Sequence, residues 1–516
     1  MRLFQLFASG LILSVSQLLA QSPSIAPLTD VLTPDTVIFT VPLAPGQTPL
    51  AITLRELMNI YKDPGFSVAI VEHNKLAWAR GFGVTTPGGT MSVTPDTLFQ
   101  AASISKPVAA AGGLWLVEHG KLDLDKDVNL ELKSWKVPDN EFTVKEKVTL
   151  RRLMSHNAGM NVHGFAGYAQ ETPIPSIVQT LNGLPPANND PIRVTTVPGT
   201  QCIYSGGGVT VEGLLMKDAS GQRFEDFMKQ HVLLPAGMKS STFEQSLPPT
   251  LAARAATGTH ADGTAVPGKW HIYPELAPDG LWTTPRDLAR FAIEVSLSRE
   301  GKANHVLSQS MTREMLTPQC HDAPGDSGGI GLGFGVGYRG HPGQFRHNGA
   351  NDGFKGLLFM DADEGWGIAL MGNSDSVDLI YPRVFETVAK TQGWQYQASP
   401  APLQEVLTVI QARLGTAAAL DAFERARTAN PKDNENPAAL NNFGYQLLGQ
   451  RKFDDAINVF ERNVALYPND ANCYDSLAES YMDAGKKELA IQNYKRSLEL
   501  DPKNDNARHQ LQKLQP

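Results

Sequence analysis

The chain has 516 residues, with 53 acidic against 45 basic side chains and a formal net charge of −8. At roughly 150 residues per domain that length allows two to four domains, and 41% hydrophobic with 19% charged residues excludes disorder over the whole chain. No run of about 20 uninterrupted apolar residues occurs, which excludes a polytopic membrane protein, and the acidic balance argues against a nucleic-acid partner.

At the N-terminus, Arg2 precedes a mostly apolar, uncharged run from Leu11 to Leu19 that leaves through Ala20-Gln21-Ser22-Pro23. A basic start, a short apolar core and a small residue at the exit predict a removable secretory leader over residues 1–20, hence an exported protein, periplasmic or secreted. Gln5, Ser9, Ser14, Ser16 and Gln17 interrupt the segment and oppose an uncleaved anchor, so no membrane span is expected after cleavage. Residues 21–44 are an N-terminal segment, and 45–395 make one large domain. Export gives weight to Cys202, Cys320 and Cys473, whose odd number leaves at least one free or paired outside the chain. A bond between Cys202 and Cys320 is one option that the sequence does not specify.

Within the large domain, Phe66 to Val84 alternates apolar and polar residues about Glu72-His73-Asn74-Lys75, which predicts a β-hairpin. Ser103-Ile104-Ser105-Lys106 opens a helix expected to run through Glu118. Serine and lysine three apart on a helix point to the same side, and the helix start adds a positive end and free amide donors. A desolvated lysine there would lose its proton more easily and help activate the hydroxyl. About a hundred residues on comes Gln201-Cys202-Ile203-Tyr204-Ser205-Gly206, then a helix over Arg286 to Leu297, then Arg346-His347-Asn348-Gly349-Ala350. A second hairpin follows, with Lys355 to Met360 and Trp366 to Met371 flanking Asp361-Ala362-Asp363-Glu364-Gly365. Strands at both ends with helices between predict an α+β fold, an antiparallel sheet whose edge pairs distant parts of the chain.

Other patterns fail on context. Gly325-Asp326-Ser327-Gly328-Gly329 reproduces a chymotrypsin-like nucleophile motif, yet His156, in Ser155-His156-Asn157, lacks the surroundings that fold requires. Gly335-Val336-Gly337-Tyr338-Arg339-Gly340 matches a dinucleotide fingerprint, but His341-Pro342-Gly343 stands where a helix must start. Tyr467-Pro468-Asn469 has no catalytic partner. The twelve histidines show no paired metal spacing, so neither metal nor cofactor is expected.

In their order, Ser103-x-x-Lys106, Tyr204-Ser205-Gly206 and His347-Asn348-Gly349 resemble the three motifs of the serine β-lactamase and penicillin-binding-protein superfamily, over roughly residues 45–395. The likeness is to the class C β-lactamase, D-alanyl-D-alanine carboxypeptidase and family VIII esterase branch. Leu153 to Gly159, Gly280 to Leu288 and Asn351-Asp352-Gly353-Phe354 fit the same pattern. The resemblance implies a β-lactamase-like fold with a helical subdomain and a serine hydrolase that cleaves a peptide, ester or β-lactam-like acyl substrate. Ser103 is implied as the acylated nucleophile, with Lys106 sharing its proton. Tyr204 is implied as phenolate base and then acid, and His347 as the group orienting substrate or Tyr204. The backbone amides of Ser103 and Ala350 are implied as the oxyanion hole, with Asn348 and Gly349 against the substrate. Gly206 replaces the asparagine of the β-lactamase pattern and His347 replaces a lysine, which turns the expectation toward a peptidase or esterase. The alternative, a catalytically inactive sensor or scaffold, is opposed by intact Ser103, Lys106 and Tyr204.

Pro400 and Pro402 mark a linker over 396–402. Beyond it, Leu440-Asn441-Asn442-Phe443-Gly444 and Tyr474-Asp475-Ser476-Leu477-Ala478 open two copies of a repeat. Ala456 and Ala490, Phe460 and Tyr494, and Pro468 and Pro502 recur 34 residues apart. Ala422, Phe423, Ala426 and Pro431 match half of an earlier copy, and Asn504 to Leu514 reads as a polar capping helix. The pattern resembles the tetratricopeptide repeat, which implies an all-α domain over 403–516 with a groove for a protein or peptide partner.

Overall fold

The computed structural model describes residues 31–321, 328–396, 399–429 and 437–515. The leader expected over residues 1–20, the Gly325-Asp326-Ser327 part of the chymotrypsin-like pattern, Gln397 and Ala398 of the linker, and Pro431 lie outside the described residues.

β1 (Val37–Val41) and β2 (Leu50–Thr53) form a two-stranded ribbon. β3 (Gly65–Glu72) and β4 (Lys75–Gly83) form the first expected hairpin. Its turn residues, His73 and Asn74, both have positive φ, 51° and 57°, the turn geometry that follows the natural twist of adjacent strands. β5 (Phe99–Gln100) pairs with β6 (Trp282–Thr283). β7 (Gly329–Ile330), β8 (Gly335–Val336), β9 (Gln344–Asn351), β10 (Phe354–Asp361) and β11 (Trp366–Gly372) complete an antiparallel sheet in the order β4-β3-β11-β10-β9-β8-β7. β10 and β11 are the second expected hairpin. Distant parts of the chain do meet, but where β11 pairs with β3, inside the sheet and not at its edge. Each hairpin brings its own outer strand, so the junction between them is interior.

Both faces of the central strands are apolar, which requires cover on both sides. Ala69, Val71, Ala369 and Met371 face a core built with helices Ser105–Glu118, Gly206–Ser220 and Pro285–Arg299. Val68, Ile70, Ile368 and Leu370 face a second core, which runs through β1, β2 and helix Tyr381–Gln392 into the C-terminal helices. Part of the segment read as preceding the domain belongs to this body, since Val31, Leu32, Ile38 and Val41 are buried in the second core.

The C-terminal region is all-α: Leu403–Leu414, Thr416–Ala429, Ala438–Gly449, Phe453–Leu466, Ala471–Asp483, Lys487–Leu500 and Asp505–Leu514. The paired positions Ala456, Phe460, Ala490 and Tyr494 are all fully buried. Gly444 is small because the Phe460 ring packs on it, 2.6 Å from where a Cβ would stand. A buried ion pair, Arg383 Nε to Glu405 Oε1 at 2.9 Å, ties helix Tyr381–Gln392 to helix Leu403–Leu414, and Lys62 Nζ donates to the Gln450 carbonyl at 3.0 Å. No helix among the described residues is long and apolar enough to cross a membrane.

Candidate active site

Ser103 lies in a 3-10 turn, Ala102–Ile104, that runs straight into helix Ser105–Glu118. Ala102 has φ +49°, a left-handed conformation that costs a non-glycine residue about 1 kcal/mol and persists only where its surroundings impose it. Those surroundings are visible: the Ala101 amide donates to the Leu281 carbonyl at 2.8 Å, and the Ser105 hydroxyl accepts from the Leu281 amide at 3.0 Å. The turn brings Ser103 over Lys106, as the three-residue spacing predicts. Lys106 is 1% exposed, and its three N–H donors find three acceptors: Ser103 Oγ at 2.8 Å, the Pro278 carbonyl at 3.1 Å and Asp279 Oδ1 at 3.4 Å. Ser103 Oγ in turn donates to Asp279 Oδ1 at 3.1 Å.

This arrangement corrects one expectation. Burial pushes the Lys106 pKa down, but the Asp279 charge and then Tyr204 outweigh it, so the pKa stands above that of an ordinary lysine. A desolvated carboxylate within ion-pair distance keeps the ammonium charged. The Asp279 carboxylate therefore favours the charged form of Lys106 in the resting site.

Tyr204 precedes helix Gly206–Ser220, whose N-cap is Ser205. Its hydroxyl accepts from the Gly208 amide at 2.8 Å and donates to the Asn161 carbonyl at 2.7 Å, anchoring the helix start. Lys106 Nζ stands 5.0 Å from the centre of the Tyr204 ring. Two histidines flank the same ring, His156 at 4.2 Å and His163 at 4.8 Å between centroids. His156 Nδ1 accepts from the Ser205 amide at 3.2 Å, and burial, then the Lys106 charge, hold its pKa well below the usual value. Gly206 sits in a tight place: a Cβ there would stand 3.1 Å from the His163 carbonyl and 3.2 Å from the Phe165 ring, so a side chain requires its neighbours to give by a few tenths of an ångström.

The third stretch is β9. β8 pairs only with Phe345 and Arg346, so the backbone from His347 to Asn351 has no strand beside it on that side among the described residues. The Ala350 side of this edge is exposed, whereas Gly349 is buried. A Cβ at Gly349 would overlap the Ala101 carbonyl, so only glycine lets this strand pack against the nucleophile turn. That contact sets the backbones of Ser103 and Ala350 side by side. Asn348 is exposed, and its carbonyl accepts from His347 Nδ1 at 2.6 Å. The half-buried His347 has its pKa pushed down to about 3, by burial first and the Lys106 charge second. It is a neutral imidazole at neutral pH and can act through hydrogen bonds alone. Its ring centre is 6.3 Å from that of Tyr204.

The structure therefore brings Ser103, Lys106, Tyr204, His347 and Ala350 to one end of the sheet, and adds three groups missed in the sequence, Asp279, His156 and His163. Asp279 is 4% exposed; its only local signal is an acid in the apolar run Leu276 to Trp282. Cys202 bonds to Cys320 with Cα atoms 5.9 Å apart, two residues from Tyr204, and Cys473 is free and buried. Residues able to hold a cation are His260, Asp352 and Asp375, whose ligand atoms lie within 4.8 Å of one another; they come from three separate loops, which hides them from any spacing argument. His341 lies in a turn before β9, and Tyr467 ends a helix in the C-terminal region, both away from Ser103 in the chain.

A family model described as Beta-lactamase matches residues 50–386. The chain belongs to the beta-lactamase family. It is thereby a member of a superfamily of serine hydrolases that includes β-lactamases and penicillin-binding proteins. A putative penicillin-binding protein, PbpX of Bacillus subtilis, is 25% identical over 307 residues, 58% of this chain and 68% of that one. Protein flp of Staphylococcus aureus strain N315 is 23% identical over 331 residues, 61% of this chain, which spans 60% of that relative's length. The match to Protein flp of strain MW2 takes in 35% of that relative. In three dimensions the chain is similar to an octameric penicillin-binding protein homologue from Pyrococcus abyssi, with a TM-score of 0.58 and 22% identity over 70% of this chain and 80% of that one. A beta-lactamase/D-alanine carboxypeptidase from Yersinia pestis gives a TM-score of 0.52 and 21% identity over 65% of this chain and 95% of its own. These likenesses establish the beta-lactamase fold, an antiparallel sheet with helices on its faces.

Proposed function

We propose that the protein is an exported serine hydrolase that forms an acyl-enzyme on Ser103 and cleaves a peptide or ester. The observation that carries the reading is the Ser103 Oγ held 2.8 Å from Lys106 Nζ at the foot of a buried helix, with the Tyr204 ring beside Lys106. In this scheme Lys106 stabilises negative charge on Oγ, and Tyr204 takes the Oγ proton and passes it to the leaving group. His347 orients the substrate, Asn348 lines its path, and the amides of Ser103 and Ala350 receive the carbonyl oxygen as it becomes anionic. Loss of one such donor costs about 3 kcal/mol in comparable sites. The uncovered edge of β9 favours an extended acyl chain lying alongside as an added strand. Against efficient β-lactam turnover stands Gly206, which offers no side chain to contact an amide.

The C-terminal hairpins are read as tetratricopeptide-type units that hold a protein or peptide, on the strength of their 34-residue recurrence and the matched burial of Ala456 with Ala490 and Phe460 with Tyr494. The test is a fluorophosphonate probe and a panel of p-nitrophenyl esters, D-alanyl-D-alanine peptides and a chromogenic cephalosporin. An adduct mapped to Ser103, with esters or peptides turned over and the cephalosporin spared, is the expected result. No adduct on the wild-type protein overturns the proposal in favour of a sensor or scaffold.

A further inference from the structure

His260, Asp352 and Asp375 are brought together only by the fold, and their ligand atoms stand within 4.8 Å of one another. Asp352 is in the turn after β9, two residues past Ala350; Asp375 follows β11, and His260 lies in the stretch before β6. The backbones of these segments are tied to one another. The Asp375 amide donates to the Thr259 carbonyl at 2.9 Å, and Gly353, with φ +73°, passes so close that a Cβ would stand 2.6 Å from the Gly258 α-carbon. The side chains are oriented as well. Asp375 Oδ1 accepts from the Gly353 amide at 2.9 Å, which leaves Oδ2 for His260, and the Tyr273 hydroxyl accepts from the Asp352 amide at 3.2 Å. Outer partners of this kind fix the orientation of ligands in metal sites.

Protons alone leave the cluster short. His260 Nδ1 carries at most one hydrogen, yet it faces two carboxylates, Asp352 Oδ1 at 3.3 Å and Asp375 Oδ2 at 3.4 Å. His271 Nδ1 donates to the Ala166 carbonyl at 3.0 Å, so a neutral His271 ring turns the lone pair of Nε2 toward Asp352 Oδ2, 3.5 Å away. Among the described residues neither carboxylate is paired with a lysine or an arginine. Charge-assisted hydrogen bonds run about 2.7–2.9 Å, and all three of these separations are longer. They come close to the edges of a tetrahedron instead, since bonds of about 2.0–2.1 Å to a zinc-like ion set its ligands about 3.3–3.4 Å apart.

We propose that His260, Asp352 and Asp375 bind a divalent transition-metal ion of the zinc class, with His271 holding the far oxygen of Asp352. Imidazole together with carboxylate is a donor set that such ions accept. The ion clasps the turn after β9 to the segments at His260 and Asp375, and it carries no step of the acyl transfer.

The full chain, stripped with a chelator, is titrated with Zn²⁺ alone by calorimetry and by thermal melting. Saturable binding of a single ion with a rise in Tm is expected. His260→Gln and Asp375→Asn should each weaken binding about 10–100-fold or more and remove most of the Tm rise, and His271→Gln should weaken it about 10-fold. The control is the double variant His119→Ala with His231→Ala, the histidines that stack on Trp115; it should keep both the affinity and the shift. A wild type without saturable binding, or one whose affinity survives both His260→Gln and Asp375→Asn, overturns the proposal and leaves a cluster of histidine–aspartate ion pairs. Should the variants fail to fold, the wild type decides through diethyl pyrocarbonate modification of His260, mapped by mass spectrometry. Protection of His260 by saturating Zn²⁺ supports the site, and an unchanged rate overturns it. None of these readouts depends on ester turnover, so the outcome is independent of the acyl-enzyme reading.

Discussion

The Ala101 carbonyl and the α-carbon of Gly349 are in direct contact, so the strand that carries Ala350 is pressed against the turn that carries Ser103. The two amides offered to a developing oxyanion keep their spacing only while this contact holds. Gly349→Ala forces the backbones apart. Because small misplacements at a reacting centre are costly, kcat/KM is expected to fall about 10²-fold, with a lower Tm by calorimetry; ester kinetics alongside the melt check it.

Tyr204→Phe removes one hydroxyl and leaves the ring between His156 and His163. Turnover is expected to drop by about 10²–10⁴-fold, the worth of a positioned proton-handling group, while the melting temperature stays put. A parallel loss of both would make Tyr204 a packing residue.

Glu212 is buried in helix Gly206–Ser220 and its pKa is raised to about 8, by burial first and against the pull of Lys106; burial likewise raises Glu275 to about 8. The folded chain thus holds these protons more tightly than the unfolded chain does. Their stabilisation is complete below about pH 4.5, the ordinary glutamate range, and is lost as pH rises through about 8. Glu212→Gln should flatten that decline, recovering of order 4 kcal/mol at most on the alkaline side. Chemical denaturation at several pH values measures it.

The Cys202–Cys320 bond closes a loop across a separation of 118 residues and borders Tyr204. Reduction, or the double serine variant, is expected to cost about 5 kcal/mol by the loop-entropy estimate. A drop in ester turnover should accompany the lower Tm, since the Tyr204 segment loses its tether.

Arg383 and Glu405 join the sheet domain to the first C-terminal helix. Arg383→Met alone strands a buried carboxylate and should cost about 3–5 kcal/mol, whereas Arg383→Met with Glu405→Leu should restore most of it. A double-mutant cycle in denaturant reads the difference.

What was legible in the sequence was local. The hairpins about His73-Asn74 and Asp361 to Gly365, and the serine–lysine pair one helical turn apart, are set by short-range periodicity and turn chemistry, and they stand where expected. What was hidden depends on contacts between remote segments. Asp279 meets Lys106 across 173 positions, and nothing near Lys106 announces a carboxylate that would hold its charge. The burial of Gly349 is likewise decided by Ala101, far away in the chain. The interior position of the β3–β11 junction depends on how two complete hairpins align, which no single strand encodes.

The second core runs from Val68, Ile70, Ile368 and Leu370 of the sheet into the C-terminal helices, with the Arg383–Glu405 pair set beside it. The enzyme half cannot be lifted out like a bead from a string: a chain stopped near residue 395 would leave a greasy wall bare. Recombining this sheet body with a foreign tail is therefore a problem of matching surfaces rather than of choosing a tether.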